Sequence, residues 1–267
     1  MPTRFGGIVF DMDGVLFRGR QAISGAPEAV ARAREAGLKA SFLTNNSTRH
    51  RRTYVDKLRA LGIPAGPADV MSSAYAAALY LRDELAGRPA TAYVVGGRGL
   101  EEELREVGLR ITDGTGPVDF VVVGMDTSFT YEKLYRAQQA IVQGAQFIAT
   151  NTDPVYPTET GFQPGGGAIV AALEACVRRP PDLIVGKPRP VGVQMLVRAW
   201  DLPPECCALI GDQIGTDIVA GNRAGVYTIL VLTGISSREQ AQLAQGEEKP
   251  EGIFEDVGAA AAYVVGH

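Results

Sequence analysis

Short apolar runs rich in β-branched residues alternate with helical patterns along almost the whole 267-residue sequence. Runs that are apolar throughout, such as FVVV at 120–123, are typical of central strands whose two faces are both covered by helices. Several helical patterns end at a glycine, which readily adopts the left-handed conformation that follows a helix. The alternation therefore predicts an α/β fold with mainly parallel sheets.

The apolar runs and the helical periodicity also predict where the elements lie. Strands are predicted at 7–10, 39–43, 91–95, 119–123, 146–149, 183–185, 207–210 and 227–232. Helices are predicted at 27–36, 49–61, 74–85, 100–107, 131–143, 168–176, 191–200 and 216–224. The tail from residue 236 is expected to form one or two surface helices around the polar stretch 245–251.

Composition excludes several classes of function. The formal net charge is −4 and the isoelectric point about 5.4, so the chain has no basic excess for binding nucleic acid or an anionic membrane. Its 3 cysteines form no C-x-x-C pair, and its 2 histidines are too few to favour a histidine-ligated metal or a Ser-His-Asp mechanism. Its apolar segments fall short of the roughly 20 residues of a membrane helix, and no signal peptide is visible. We therefore expect a cytoplasmic protein.

The first predicted strand ends in the sequence FDMDGV, which places Asp11 and Asp13 at its carboxyl end. Ligands of parallel α/β sheets bind beyond the carboxyl ends of the strands. Two carboxylates at such a point can divide the work, one attacking phosphorus and holding a metal, the other transferring protons. Gly14 allows the tight turn that follows. An acidic loop without function is the alternative, because a D-x-D sequence alone has low specificity.

The second predicted strand ends in Thr44, Asn45 and Asn46, followed by Ser47. A hydroxyl and adjacent amides before a helix can bind phosphate oxygens. The alternative is a polar N-cap, with Asn46, Ser47 or Thr48 capping the next helix.

The segment 186–190 (GKPRP) fixes Lys187 between a strand end and a helix that begins at proline. An ammonium group held there can offset the charge of a phosphate and of neighbouring carboxylates, although a solvated lysine is the commoner interpretation. A P-loop is excluded, because Pro188 stands where serine or threonine is required.

The segment 209–218 (LIGDQIGTDI) again runs from a strand end into a helix. Asp212 is the candidate metal ligand there, since magnesium takes oxygen ligands that include one or two carboxylates. Asp217 lies near the helix start, where it can cap the helix or orient Lys187. All of these motifs fall at carboxyl ends of predicted strands, which makes coincidence an implausible explanation.

Together these motifs resemble those of the haloacid dehalogenase superfamily of aspartate-nucleophile phosphatases. The resemblance extends over nearly the whole chain. Within the superfamily the chain most resembles subclass IIA, which contains NagD-like, 4-nitrophenylphosphate, phosphoglycolate, glycerol-phosphate and pyridoxal-phosphate phosphatases. Markers of that branch are the segments 44–47 (TNNS), 147–151 (FIATN) and 230–234 (LVLTG). Gln213 departs from the pattern, since many relatives carry arginine or asparagine there, and we expect it to affect local packing or cap contacts more than chemistry.

The resemblance implies a role for each motif residue. Asp11 would attack phosphorus, and Asp13 would protonate the leaving oxygen and then activate water. Mg²⁺ would be held by Asp11, the backbone carbonyl of Asp13 and Asp212, with Asp217 in a supporting position. The substrate-binding set that follows from the resemblance is Thr44, Asn45, Asn46, Lys187 and Tyr156.

The middle of the chain carries none of these motifs and resembles the α/β cap of the branch. We therefore expect a Rossmann-like parallel-sheet core at 1–77 and 183–267, with an inserted cap domain at 78–182. Within the cap, the loop 153–157 resembles the substrate-facing loop of the family and contains Tyr156. The glycines of segment 163–167 (QPGGG) either offer backbone donors to a ligand or simply lead into a helix. Relatives often dimerise through the cap, which predicts a homodimer.

The predicted function is Mg²⁺-dependent hydrolysis of small phosphorylated metabolites through an aspartyl-phosphate. The substrates would resemble 4-nitrophenyl phosphate, phosphoglycolate, glycerol phosphate or a nucleotide. Asp13 favours water as the final acceptor. The alternatives are a phosphotransferase or phosphomutase of the same superfamily, and a catalytically idle module that binds phosphate or metal.

Overall fold

A computed structural model of the chain describes residues 4–158 and 161–267. The strands are β1 Gly7–Asp11, β2 Phe17–Arg18, β3 Gln21–Ala22, β4 Lys39–Thr44, β5 Val70–Ser72, β6 Thr91–Val95, β7 Arg110–Thr112, β8 Phe120–Val123, β9 Gln146–Ala149, β10 Val155–Thr158, β11 Gly161–Pro164, β12 Leu183–Ile184, β13 Cys207–Gly211, β14 Tyr227–Val231 and β15 Gly252–Phe254. The helices are α1 Ala26–Glu35, α2 Arg51–Ala60, α3 Ser73–Leu85, α4 Arg98–Glu106, α5 Tyr131–Val142, α6 Gly166–Val177, α7 Val191–Trp200, α8 Val219–Ala224, α9 Arg238–Leu243 and α10 Val257–Val265.

The chain forms two compact units. The first comprises Met1–Thr44, Tyr54–Met71 and Lys187–His267, and the second comprises Asn45–Thr53 and Ser72–Gly186. Each unit is built on its own parallel sheet, so the predicted α/β fold with mainly parallel sheets is confirmed.

The first unit contains a 6-stranded sheet in the order β15-β14-β13-β1-β4-β5. β1 lies between β13 and β4 and is parallel to both, with Phe10 beside Ile210 and Asp11 beside Leu43. Because parallel strands end at the same edge, this register brings the ends of β1, β4 and β13 together. On one face, Ile8 and Phe10 pack in a buried apolar cluster that includes residues of α1 and α10.

The second unit contains a 5-stranded parallel sheet in the order β12-β9-β8-β6-β7. Val121 and Val123 of β8 pack with Phe147 of β9 against apolar residues of α5 and α6, including Ile141 and Leu173. An antiparallel hairpin of β10 and β11 follows β9 and pairs Tyr156 with Gln163. Hydrophobic burial of both sheet faces is the main stabilising term in such layers.

One predicted helix differs from the structure for a reason that concerns the site. Residues 216–224 are predicted as one α-helix, whereas the structure has a π-helical turn at Ile214–Ile218 followed by α8. The Gln213 carbonyl accepts from the N–H groups of Thr216, Asp217 and Ile218, and the Asp217 carboxylate turns back to accept from the N–H of Gln213. The wider turn thus serves the placement of the Asp217 side chain, as π-helical turns often do at functional sites.

The tail also differs from its prediction. It contains α9, β15 and α10, and α10 buries Val257, Ala260 and Val264 in the core of the first unit, so it is more than a surface helix. Among the residues that the structure describes, none of the helices combines the length and apolar character that a membrane crossing requires.

Candidate active site

The carboxylate of Asp11 lies at the carboxyl end of β1, where the sheet register places it beside the end of β13. Lys187, which follows β12, donates from Nζ to Asp11 Oδ1 at 2.5 Å and to Asp217 Oδ1 at 2.5 Å. Asp212 follows β13, and Asp11, Asp212 and Asp217 each offer an oxygen within 4.8 Å of the others. All of these side chains are buried. We call Asp11, Lys187, Asp212 and Asp217 the Asp–Lys cluster.

Asp217 has both carboxylate oxygens engaged. Oδ1 accepts from Lys187, while Oδ2 accepts from the backbone N–H of Asp212 at 3.1 Å and of Gln213 at 3.0 Å. A Cβ on Gly211 would lie 2.6 Å from Asp217 Oδ2, so only glycine leaves room for this arrangement. Asp217 therefore orients Lys187 and the loop that carries Asp212, which is one of the two roles that the sequence left open.

Asp212 is held by the backbone on its other side. Its Oδ2 accepts from the Ile235 N–H at 2.9 Å, and its carbonyl accepts from the Ser236 N–H at 3.0 Å. A Cβ on Gly14 would lie 2.5 Å from Asp212 Oδ2, and Gly14 has a φ of +85°, which favours glycine for a second reason. The tight turn predicted at Gly14 thus also makes room for this carboxylate, whereas the contribution of Ile235 and Ser236 was not predicted.

The electrostatics of the Asp–Lys cluster follow from burial and from its excess of carboxylates. Burial, together with the nearby Asp217 and Asp212, raises the pKa of Asp11 well above its usual range, although Lys187 opposes this. Burial and the Asp217 carboxylate raise the pKa of Asp212 to about 7. Burial acts to lower the pKa of Lys187, but the carboxylates of Asp11 and Asp217 outweigh it and raise that pKa. The cluster therefore binds protons, or another cation, more tightly than isolated groups would.

These residues fit a divalent cation. With every group ionised, three carboxylates and one ammonium leave two negative charges in a buried site, which a divalent ion would neutralise. The available donors are oxygens, as magnesium and calcium prefer. The acidic cluster thus fits a divalent metal ion, and Asp217 is also engaged with Lys187 and with backbone N–H groups.

Asp13 lies in the turn after β1, where its backbone bridges to Phe17. Burial raises the pKa of the Asp13 carboxyl, and the positive charges of Lys57 and Lys187 lower it in part. The ammonium of Lys57 also lies 3.3 Å from the centre of the Phe17 ring. Lys57 was not predicted to belong to this region, because nothing in the local pattern of α2 distinguishes it from a solvated lysine.

The remaining predicted site residues fall in different parts of the chain. Thr44 is the buried last residue of β4. In the second unit, Asn45 donates from Nδ2 to Asp153 Oδ2 at 2.7 Å, and Asn46 donates from Nδ2 to the Tyr156 hydroxyl at 3.0 Å. Thus the structure brings Asn46 and Tyr156 together, as it does the members of the Asp–Lys cluster. Asp153, the partner of Asn45, was not assigned a role from the sequence.

The sequence left open whether Asn46, Ser47 or Thr48 simply caps the helix that follows β4. Asn46 Oδ1 accepts from the backbone N–H of Thr48 at 3.0 Å and from its hydroxyl at 2.7 Å, which closes a turn before α2 begins. The first N–H of α2, that of Arg51, donates instead to Glu103 Oε1 at 2.8 Å. Asn46 therefore shapes the loop between β4 and α2 without capping the helix.

Gln213, which stands where many relatives carry arginine or asparagine, makes its side-chain hydrogen bond within its own turn. Its Oε1 accepts from the Thr216 hydroxyl at 3.1 Å within the π-helical turn. This contact agrees with the expectation that Gln213 affects packing near the helix start.

A second group of ionisable residues lies in the second unit and consists of His50, Glu103 and Glu106. Arg51 forms ion pairs with both glutamates and Arg52 with Glu106, so two arginines balance two carboxylates. His50 Nδ1 accepts from the Arg52 N–H at 3.2 Å, and its Nε2 lies 3.1 Å from Glu106 Oε1. These side chains and the two arginines thus form an ion-pair network in which Glu106 is exposed.

Comparison with known proteins agrees with this geometry. The family model described as haloacid dehalogenase-like hydrolase matches residues 8–110, and a related HAD-hydrolase-like model matches residues 184–260. Human glycerol-3-phosphate phosphatase is 41% identical over 256 residues, covering 86% of this chain and 79% of that protein. An acid sugar phosphatase from Staphylococcus haemolyticus is 37% identical over 254 residues, covering 95% and 94% of the two chains.

Solved structures also resemble this chain. A p-nitrophenyl phosphatase from Archaeoglobus fulgidus superposes with a TM-score of 0.91 at 34% identity, over 97% of this chain and 99% of that one. A glycerol phosphate phosphatase from Mycobacterium tuberculosis, solved in complex with magnesium, gives a TM-score of 0.88 at 34% identity, over 95% and 75% of the two chains. With these similarities across nearly its whole length, the chain belongs to the haloacid dehalogenase-like hydrolase family and is one of its subclass IIA phosphatases.

Proposed function

We propose that the chain is a Mg²⁺-dependent phosphatase that transfers the phosphoryl group of small phosphate monoesters to Asp11 and then to water. The observation that carries the proposal is the buried Asp11 carboxylate at the end of β1, hydrogen-bonded to Lys187 at 2.5 Å and grouped with Asp212. Phosphate-monoester hydrolysis needs stabilisation of negative charge above all, and accelerations as large as ~10²¹ are known for such reactions.

In the proposed first step, an Asp11 oxygen attacks phosphorus while the bond from phosphorus to the leaving oxygen breaks. Asp13 gives its proton to that oxygen, a role that suits a carboxyl group whose pKa is raised by burial. In the second step, a water molecule gives a proton to Asp13 and attacks the phosphorus of the aspartyl-phosphate. Inorganic phosphate leaves, and both carboxyl groups return to their starting states.

The other predicted residues supply charge and position. Lys187 and Thr44 are proposed to bind phosphoryl oxygens, and Asn45 is proposed to do so on the strength of the family resemblance. Mg²⁺ would be held by Asp11, Asp212 and the backbone carbonyl of Asp13, and when bound it would neutralise the charge that develops on the phosphoryl group. Asp217 keeps Lys187 in place.

The substrate class is proposed from the relatives. Their names give glycerol-3-phosphate and acid sugar phosphatases, so we propose phosphate monoesters of small polyols and sugars. Substrate contacts from Asn46 and Tyr156 remain a prediction, supported by their mutual hydrogen bond at 3.0 Å. The assignment of residues 78–182 to a cap domain also remains a prediction. So does the cytoplasmic location.

A homodimer through the cap at 78–182 remains a prediction too. The helix α5 exposes Tyr131, Tyr135 and Val142 along one side, and exposed aromatic residues are enriched where proteins associate. Light scattering coupled to size exclusion tests it, and a monomer at micromolar concentration contradicts it.

The test of the proposed function is phosphate release from 4-nitrophenyl phosphate and from a panel of polyol and sugar phosphates, ranked by kcat/KM. We expect activity with magnesium, loss of activity with EDTA, and loss of activity in Asp11→Asn. Asp56→Asn removes an exposed carboxylate of the first unit and serves as the matched control. Unchanged turnover in Asp11→Asn contradicts the nucleophile assignment, and a wild-type protein that releases no phosphate from any ester favours a binding module.

A further inference from the structure

Asp153 has no part in the proposed chemistry, yet it is the hydrogen-bond partner of a predicted substrate-binding residue. Its Oδ2 accepts from Asn45 Nδ2 at 2.7 Å and from Asn151 Nδ2 at 2.8 Å. Residues 45 and 153 are 108 positions apart in the sequence, so the contact is a product of the fold of the second unit. The same Asp153 oxygen accepts both hydrogen bonds, so both amides turn their NH₂ groups toward it.

The consequence for Asn45 is a fixed orientation. Its NH₂ group is directed to Asp153, and its Oδ1 lies against the backbone of Gly186, where an added Cβ would be only 2.7 Å away. The carbonyl oxygen of Asn45 accepts from the Ser73 hydroxyl at 2.6 Å. Asn45 is thus held at its amide nitrogen and at its main chain, directly after the end of β4.

Asp153 is itself fixed by the glycines that precede α6. Its carbonyl accepts from the Gly167 N–H at 2.9 Å. An added Cβ on Gly165 would overlap the Asp153 carbonyl oxygen, and one on Gly167 would overlap the carbonyl oxygen of Thr152. These glycines therefore allow the 152–153 backbone to pack directly against the start of α6. Of the two interpretations of this glycine run, a lead into a helix describes the structure, since α6 begins at Gly166 with Gly165 as its N-cap.

We propose that Asp153 is a positioning residue for phosphate binding, which acts by holding Asn45 in the orientation that receives the phosphoryl group. This inference rests on the proposed function and extends it to a residue that touches neither the substrate nor the metal in the proposed mechanism. The chain of contacts runs from the glycines before α6 through Asp153 to Asn45. Misplacing a group that positions substrate by about 1 Å can reduce a rate on the order of 100-fold.

The test is a double-mutant cycle on Asp153 and Asn45. We expect Asp153→Ala to lower kcat/KM by about 10- to 100-fold and to weaken the affinity for inorganic phosphate by a similar factor. In the Asn45→Ala background, the same substitution should cost less than about twofold, because residues that act through one another are not additive. Asp153→Asn keeps one acceptor oxygen for Asn45 and should recover part of the loss. Asp113→Ala, which removes an exposed carboxylate of the same unit, is the matched control.

Phosphate affinity is measured in parallel as the rise in unfolding temperature that inorganic phosphate and Mg²⁺ produce in each variant. Two results would overturn the positioning role while leaving Asp11 chemistry intact. One is that Asp153→Ala lowers kcat/KM by the same factor in the wild type and in the Asn45→Ala background. The other is that Asp153→Ala keeps the kcat/KM and the phosphate affinity of the wild type. Failure of the proposed function itself looks different, because Asp11→Asn would then turn over like the wild type, and the role of Asp153 in that reaction would fall with it.

Discussion

Replacing Asp212 with asparagine should stabilise the metal-free protein while removing its response to metal. Burial and Asp217 raise the pKa of Asp212 to about 7, against an ordinary value of 3.8. At about 1.4 kcal/mol per pKa unit, the ionised Asp212 carboxylate destabilises the metal-free fold by about 4 kcal/mol at most. Protons shared among the carboxylates relieve part of this cost, so we expect Asp212→Asn to gain about 2 kcal/mol near pH 8.

The sign of the pH dependence follows from the raised pKa. The cost is absent below the ordinary pKa of 3.8, grows as the pH rises and is fully present above about 7. The stability difference between Asp212→Asn and the wild type should therefore grow across this range. The asparagine keeps an oxygen that can accept from the Ile235 N–H, so the backbone contact at 2.9 Å need not be lost.

The assay is thermal unfolding followed by circular dichroism, in EDTA and in millimolar Mg²⁺, at several pH values. A gain of about 2 kcal/mol corresponds to a rise of roughly 4–8 °C in the unfolding temperature of the metal-free variant. Mg²⁺ should raise the unfolding temperature of the wild type and of the Asp56→Asn control, but not that of Asp212→Asn. A metal-free Asp212→Asn protein that is less stable than the wild type near pH 8, or one that responds to Mg²⁺ like the wild type, refutes the reasoning.

Three further predictions concern contacts around the same sheet edge and one helix start. Lys187→Met leaves the buried Asp11 and Asp217 carboxylates without their cation and should cost about 3–5 kcal/mol in urea unfolding above neutral pH; wild-type stability contradicts the ion pairs. Gly211→Ala places a Cβ against the Asp217 carboxylate and should lower kcat by about tenfold or more in phosphate-release assays; unchanged kcat shows that Asp217 tolerates displacement. Ser72→Ala removes the N-cap of α3 and should cost about 1 kcal/mol without changing kcat, and a larger loss of activity than of stability contradicts a purely structural role.

The sequence was informative about strands that are buried on both faces. The strands at 91–95 and 146–149 were predicted with the bounds that the structure has, because their apolar runs are bounded by polar or glycine-containing turns. The two-residue strands β2 and β3 were missed, since so short a segment shows no periodicity. The hairpin of β10 and β11 was also missed, because its residues are mostly exposed or polar.

The site was predictable to the extent that it lies at strand ends. Asp11 ends β1 and Asp212 follows β13, and the parallel topology of the 6-stranded sheet brings these two together. Lys187 follows β12, a strand of the other sheet, so its hydrogen bond to Asp11 does not follow from strand order. The hydrogen bond between Asn45 and Asp153 was not predictable in this way, because it joins distant segments and no local periodicity encodes it. The glycine run before α6 was the available clue, and only the structure shows that it makes room for the backbone at Asp153.

The measurement that tests the central claim most directly is a search for phosphate on Asp11 in an Asp13→Ala variant. 4-Nitrophenolate leaves without needing a proton, so the first step should proceed in this variant, whereas the second step lacks its base. We predict a rapid burst of one equivalent of 4-nitrophenolate per active site, followed by slow turnover. Mass spectrometry of the acid-quenched protein should find one phosphoryl group on the peptide that contains Asp11, removable by hydroxylamine. A reaction without a burst and without modified Asp11, or a phosphoryl group on another residue, would contradict the account.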